Sequence, residues 1–434
     1  MNTAMPLLLI ALSIAGLLGA MAGVHAIARR RGWSAELQRK SVHVATGLYA
    51  LSLPLTFSDT WPVLLLTAVA VVVLMLMRLP ALARTGIGST IHGVERQSYG
   101  EVLLAVAVGF LFFRSYGNPV LFVLPMLVLT FSDAAAALTG VRYGRRLFAV
   151  EDGTKSFEGV VMFFLLAFIL AMITLLLMTD VPKLNVILLS VIVAAFGAQL
   201  EADSWRGLDN LFVPVGLHLF LQNNLDAPLY SLLGAAVLLL TLIAGFQAAG
   251  ARLGLTRQAA RGYGVLVFLI LSVTAPHNAI LPLAAVVGLL ALCHREPCDS
   301  TRPELDFLGV AAAAAALWLF LGEWSGHNAI NLYNLTFAGV ATVFATLALK
   351  RGRLAGAGVI AAGLGLAVYA LHGLNVAEAR WMNSFAVLIA ASLALCVAIP
   401  ALLPGLFVRH RTVAAMVLAI SLPLLTTALR SLPS

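Results

Sequence analysis

The sequence predicts an all-α, polytopic integral membrane protein with about sixteen crossings, and no fewer than about fourteen. Three observations predict it. Of 434 residues, 61% are hydrophobic and 11% charged, with a mean hydropathy of +0.99, far more apolar surface than a water-soluble core requires. Apolar runs long enough, or nearly long enough, to cross a bilayer recur along the whole chain. Lysine and arginine fall almost entirely in alternate loops, the pattern expected where positive loops stay cytoplasmic.

The first run, 5–27, ends at Arg29-Arg30-Arg31. No basic residue precedes it, so it reads as a retained span, despite a cleavage-like Ala26-Ile27-Ala28. Runs at 42–57 and 61–77 follow, the first entered through Arg39-Lys40-Ser41-Val42-His43. The run at 99–114 is entered through Arg96-Gln97-Ser98-Tyr99-Gly100-Glu101. The next, 119–139, carries Asp133 inside its end. A carboxylate in the membrane costs about 2.5 kcal/mol or more at mid-depth, which marks Asp133 as a functional candidate.

A basic, glycine-punctuated loop follows, and Lys155-Ser156-Phe157-Glu158-Gly159 is predicted to open the helix at 158–179. The run at 184–201 ends in Glu201 and leads through Asp203, Arg206 and Asp209-Asn210 to a short run at 211–221. That short run must cross if the alternation is to hold. Runs at 228–248, 262–276, 279–293, 307–322, 335–349, 355–372, 384–405 and 413–429 complete the chain. Gly352, Gly356, Gly358, Gly363 and Gly365 predict close helix packing there. Beyond 227, acidic residues fall only in predicted loops. The chain therefore reads as a domain at 1–250 that holds the chemistry, and a further helical membrane domain at 251–434 without an assigned role.

With the N-terminus outside, one side receives all 27 Lys and Arg residues except Arg114, Lys183, Arg380 and Arg430. The net charge of +8 is thus a topology signal and no footprint of nucleic acid. Three cysteines give no disulfide framework, and Cys293, His294 and Cys298 make an incomplete zinc set. The alternation also places Arg39, Lys40, His43, Glu101, Asp133, Lys155, Glu158, Glu201 and Asp209 at or near cytoplasmic helix ends. Five separated segments converge on one face.

Such a set suits phosphoryl transfer, which needs positioning and charge neutralisation, usually from Mg²⁺ on carboxylates and from Lys or Arg on phosphate oxygens. Asp133, Glu201 and Asp209 are the carboxylates placed to hold metal. Lys155, Ser156, Arg142 and Arg145 are placed to hold a triphosphate, and Asp209 to act as general base. Gly153-Thr154-Lys155-Ser156 lacks the residue order and glycine spacing of a P-loop. Plainer readings stand beside these. Asp133 also fits one half of a buried ion pair, Arg39-Lys40 a topology anchor, and His43 a satisfied buried histidine. Gly140 and Gly144 fit helix packing as well as nucleotide approach. Glu101 fits a helix-dipole partner, and Arg146, Glu151 and Asp152 a solvated loop.

In order, these segments resemble the polyprenol kinase family, which includes dolichol kinase, phytol kinase and the CTP-dependent diacylglycerol kinase. The resemblance covers roughly residues 35–222. Its most specific parts are Asp133-Ala134-Ala135-Ala136 with Gly140 and Gly144 leading to Lys155-Ser156-Phe157-Glu158-Gly159, and Glu201 followed by Asp209-Asn210 and Pro214. It implies phosphoryl transfer from CTP, with a divalent metal, to a lipid alcohol of the bilayer. The second half has no counterpart in the short phytol-kinase type. Cytidylyl transfer to a lipid phosphate would use the same metal and CTP. A transporter would place charges near mid-membrane on repeated halves, and the one-sided acids do not. Phytol, farnesol-type prenols, dolichol and diacylglycerol all remain open as acceptors, and UTP or ATP as donors.

Overall fold

The computed structural model describes residues 4–78, 99–115, 117–151, 153–296, 300–349 and 354–431. Arg84, Arg96-Gln97-Ser98, Asp152, Cys298, Asp299 and the run Lys350–Arg353 lie outside the described residues. The chain divides into two compact units, Met1–Thr241 and Leu242–Ser434.

The first unit is built from α1 (Ala4–Arg31), α2 (Ala35–Thr56), α3 (Thr60–Met77), α4 (Gly100–Arg114), α5 (Val120–Tyr143), α6 (Phe157–Met178), α7 (Lys183–Asp203) and α8 (Asp209–Asn224). The division falls within α9 (Leu229–Gly250). The second unit continues with α10 (Arg257–Val273), α11 (Ile280–Arg295), α12 (Pro303–Ser325), α13 (Ile330–Leu349), α14 (Leu354–Leu374), α15 (Phe385–Leu402) and α16 (Arg411–Ser431).

Twelve helices among the described residues are long and apolar enough to cross a membrane. Helices α4, α8 and α10 are shorter, at 15, 16 and 17 residues, and α2 opens with Glu36, Arg39 and Lys40, whereas α11 reaches 20 residues with the 3₁₀ turn Pro276–Ala279 before it. The helices thus support an all-α, many-spanning chain, with twelve spans on these grounds. Their outer surfaces agree. Leu165, Ile169, Ile173 and Leu177 form an exposed apolar stripe along α6, which suits lipid and not water.

The loop after α5 differs from the expectation. It holds a two-stranded antiparallel hairpin, β1 (Leu147–Val150) and β2 (Gly153–Ser156), with Val150 opposite Gly153 and Phe148 opposite Lys155. Lys155 and Ser156 therefore end a strand instead of opening a helix. Ser156 is the N-cap of α6, its hydroxyl accepting from Gly159 N at 3.0 Å.

In the second unit α13 is the central helix, with 83% of its span buried. Its start joins a network of carboxamides. Asn334 Nδ2 donates to Asn278 Oδ1 (2.7 Å), Asn278 Nδ2 to Asn375 Oδ1 (3.1 Å), and Asn375 Nδ2 to Asn331 Oδ1 (2.9 Å). All four side chains are buried. The expected glycine packing holds at Gly365, where a Cβ would sit 3.2 Å from Leu393, whereas Gly358 and Gly363 face open space. A bilayer-facing glycine needs no neighbour, so composition overstates the packing there.

Candidate active site

Helix α5 carries Asp133, and its backbone is irregular just before it. Val128–Ser132 forms a π-turn, a widened turn often found at functional sites. Asp133 is buried, and Lys40 on α2 donates to both of its oxygens at 2.6 Å. His43, one turn on, places Nε2 at 3.2 Å from Leu129 O in the π-turn and 3.4 Å from Asp133 Oδ2. Two acceptors face that nitrogen, so it carries the proton. The structure thus realises the ion-pair reading of Asp133, with Lys40 as the partner.

Lys155 on β2 is the second centre. Its Nζ lies 2.9 Å from Glu201 Oε1 and also donates to the Glu201 carbonyl at the end of α7. Burial alone would lower its pKa, but the carboxylates of Glu201, Asp209 and Asp133 outweigh that and hold it above the usual lysine value of 10.5. Lys155 therefore stays a cation with three carboxylates around it. Asp209, at the start of α8, is partly exposed. The turn that delivers it needs left-handed backbone at Arg206 (φ 51°) and Gly207 (φ 82°), and Arg206 O accepts from Tyr99 N at 3.0 Å.

The remaining expected site residues serve narrower roles. Arg39 pairs with Glu36 at 2.7 Å and lies within electrostatic reach of Asp133 and Asp209. Glu158 accepts from Arg146 N at 3.2 Å, fastening the hairpin base to α6. Gly140, Gly144 and Gly159 make room for Ser156: a Cβ at Gly144 would lie 2.8 Å from Ser156 Cβ, and one at Gly140 3.0 Å from its hydroxyl. Arg142 occupies the last turn of α5, over the Tyr143 ring at 5.4 Å, and both it and Arg145 are exposed. Glu101 faces Arg78 at 3.6 Å. Asn210 is buried beside Asp209.

Glu151, expected in a solvated loop, is instead ion-paired with Arg206, joining the hairpin tip to the turn before α8. No sequence signal pointed to that pair, or to Thr130 and Ser132, whose buried hydroxyls lie in the π-turn. Among the described residues, no three His, Cys, Asp or Glu side chains gather as a metal-holding group. Asp133 and Glu201 are each closed by a lysine.

A phytol kinase of Synechocystis sp. is 33% identical to this chain over 187 residues, which is 42% of this chain and 76% of that protein. The chain belongs to the polyprenol and phytol kinase family. No family model and no solved structure matches it. For a polyprenol kinase relative, the geometry has a clear order. Asp133 with Lys40, and Lys155 with Glu201, are the two ion pairs of the first unit's charged centre, and Asp209 adds a carboxylate beside the second.

Proposed function

We propose that the first unit is a lipid-alcohol kinase that moves a phosphoryl group from a nucleoside triphosphate, CTP by the family resemblance, to a lipid hydroxyl. One observation carries the reading. Lys155 is fixed on Glu201, in the field of Asp209 and Asp133, on the hairpin that leads into α6, a helix with an exposed apolar face. A lysine so held binds phosphate oxygens in both ground and transition states. Arg142 and Arg145, exposed beside the hairpin, add positive charge for the outer part of a triphosphate.

A divalent ion such as Mg²⁺ would come in with the nucleotide, and Asp209 is the carboxylate not closed by a lysine in the way Asp133 and Glu201 are. Such an ion takes one or two carboxylates and completes its shell with phosphate oxygens and water. Asp209 would hold it, with Glu201 and Asp133 as the neighbouring carboxylates. When bound, the ion supplies charge neutralisation on the phosphates. Asp209 would also take the proton of the attacking hydroxyl. The alcohol would arrive from the bilayer and the nucleotide from the cytoplasm, with the N-terminus on the outer side. The second unit would contribute stability, lipid access or partner binding.

The test incubates purified full-length protein with labelled CTP, UTP or ATP and with phytol, farnesol, dolichol or diacylglycerol. A phosphorylated alcohol together with nucleoside diphosphate supports the reading. Pyrophosphate as the released product would make the protein a cytidylyltransferase acting on a lipid phosphate. Nucleotide-independent flux in liposomes, without product, would make it a transporter.

A further inference from the structure

Buried hydroxyls on the helices of this chain are usually answered by the carbonyl four residues earlier. Ser13 donates to Leu9 O, Thr336 to Leu332 O, Thr342 to Ala338 O and Thr346 to Thr342 O. Ser132 and Thr130 are fully buried and make no hydrogen bond. Both lie in the π-turn, where the widened backbone takes the usual acceptor out of line. Thr130 is pressed against α2, since a Cβ on Gly47 would lie 2.8 Å from Thr130 Cβ. Ser132, equally buried, adjoins Asp133.

A second unanswered atom belongs to Asn210, which is buried and whose Oδ1 accepts from no donor. Asn210 follows Asp209 on α8, and α8 packs against the π-turn. Ser190 and Ser392 are also buried without partners, but Ser190 lies about three turns from Glu201 and Ser392 lies in the second unit. Among the described residues, Ser132 and Asn210 carry unpaired polar atoms and directly adjoin Asp133 and Asp209 in the chain.

The two atoms are complementary in kind. Ser132 has a hydrogen with no acceptor, and Asn210 has an oxygen with no donor. A hydroxyl answers both. An ionised phosphate or carboxylate has no hydrogen for Asn210, and an ammonium has no lone pair for Ser132. We propose that Ser132 Oγ and Asn210 Oδ1 hold the acceptor hydroxyl of the lipid alcohol, a subsite that rests on the kinase reading above. The alcohol oxygen accepts from Ser132, and its hydrogen is donated to Asn210 until transfer. The oxygen then bonds to the terminal phosphorus as the bond from that phosphorus to its bridging oxygen breaks. The nucleoside diphosphate leaves, and the hydroxyl proton passes to the Asp209 carboxylate. Both atoms are covered in this structure, so admitting the alcohol requires side chains around the π-turn to shift. Buried Leu129, Leu211 and Val213 supply apolar surface on the same elements for the start of the chain.

The test uses full-length protein in detergent micelles, with phytol and its methyl ether as probes. Ser132→Ala and Asn210→Leu are each expected to raise the KM for phytol about tenfold or more, the worth of one hydrogen bond. Both should leave the Kd for CTP within about twofold. Phytol should raise the Tm of the wild type, phytyl methyl ether should not, and neither variant should respond to phytol. Without phytol, Ser132→Ala should melt no lower than wild type, because the deleted hydroxyl had no partner. Unchanged KM and Tm response in an active Ser132→Ala protein would overturn the subsite alone, as would an equal loss of CTP affinity. A wild type that phosphorylates no alcohol with any nucleotide would overturn the kinase reading and the subsite together. Ser132→Ala differs by one oxygen, so it decides the matter even where Asn210→Leu does not fold.

Discussion

Lys40 and Asp133 stand 93 positions apart and meet through two 2.6 Å contacts inside the first unit. Removing one charge of such a pair leaves the other buried and unanswered, at a cost of about 3–5 kcal/mol. Asp133→Asn should therefore lower the Tm sharply. Turnover per folded molecule should also fall, by roughly a hundredfold, because Asp133 contributes to the field that holds Lys155 charged. Lys40→Met combined with Asp133→Leu should recover much of the Tm but none of the turnover; recovery of both would reduce the pair to a structural one. Lys155 supports a pH prediction. Its folded pKa lies above the unfolded value, so the stability it adds is complete below the ordinary lysine value of 10.5 and is lost as pH rises through the folded value. Melting of wild type and Lys155→Met should differ throughout the neutral and mildly alkaline range, with the gap closing only in strong alkali. A gap that closes near neutral pH would contradict the assignment.

Helix α5 shows how an element is bent into service. Pro125 has no N–H to give the carbonyl four residues back, and Leu121 O is answered by His218 Nδ1 from α8 at 2.9 Å. About two turns further on, Leu129 O in the π-turn is answered by His43 from α2. Two histidines thus clamp α5 between its neighbours. His218→Leu should cost about 1–3 kcal/mol by leaving Leu121 O unpaired. Thermal melting would register that loss while turnover per folded molecule stays within a few-fold. The sequence announced α5 through its apolar run and Asp133 through the expense of a carboxylate there. It could not announce Lys40 as the partner, because a basic residue at a helix entrance looks the same whether it anchors topology or reaches inward. The hairpin left only an offset signal: Asp152-Gly153 is a dipeptide that tight β-turns favour, yet Gly153 pairs with Val150 as the first residue of β2. The flanking segments are too short for alternation to stand out, and the helical pattern on either side masks them. The unanswered hydroxyls of the π-turn left none, since they arise from backbone geometry that composition does not encode.

At the scale of the molecule, every predicted site residue falls within Met1–Thr241. Cysteines placed at Gly153 and Gly207 should react only with reagent supplied from the cytoplasm, and one at Asn118 only from outside. Labelling of 153 and 207 from opposite faces would break the shared site. The second unit has its own centre, the carboxamides of Asn278, Asn331, Asn334 and Asn375. His277 joins it through Asn375 Oδ1 at 2.8 Å, and Asn331 donates to Ala379 O at 2.7 Å. Amides inside an apolar bundle hold one another because no water is there to replace a lost partner. Asn278 is the hub, since its oxygen receives Asn334 and its nitrogen reaches Asn375. Asn278→Ala strands the Asn334 amide, at about 1–3 kcal/mol, whereas Asn375 keeps His277 and Asn331. The variant should melt well below wild type, yet alcohol phosphorylation per folded molecule should stay within a few-fold. Melting and turnover read on the same preparation separate the two effects. A hundredfold loss of turnover in a protein that is still folded would mean that the second unit takes part in the chemistry.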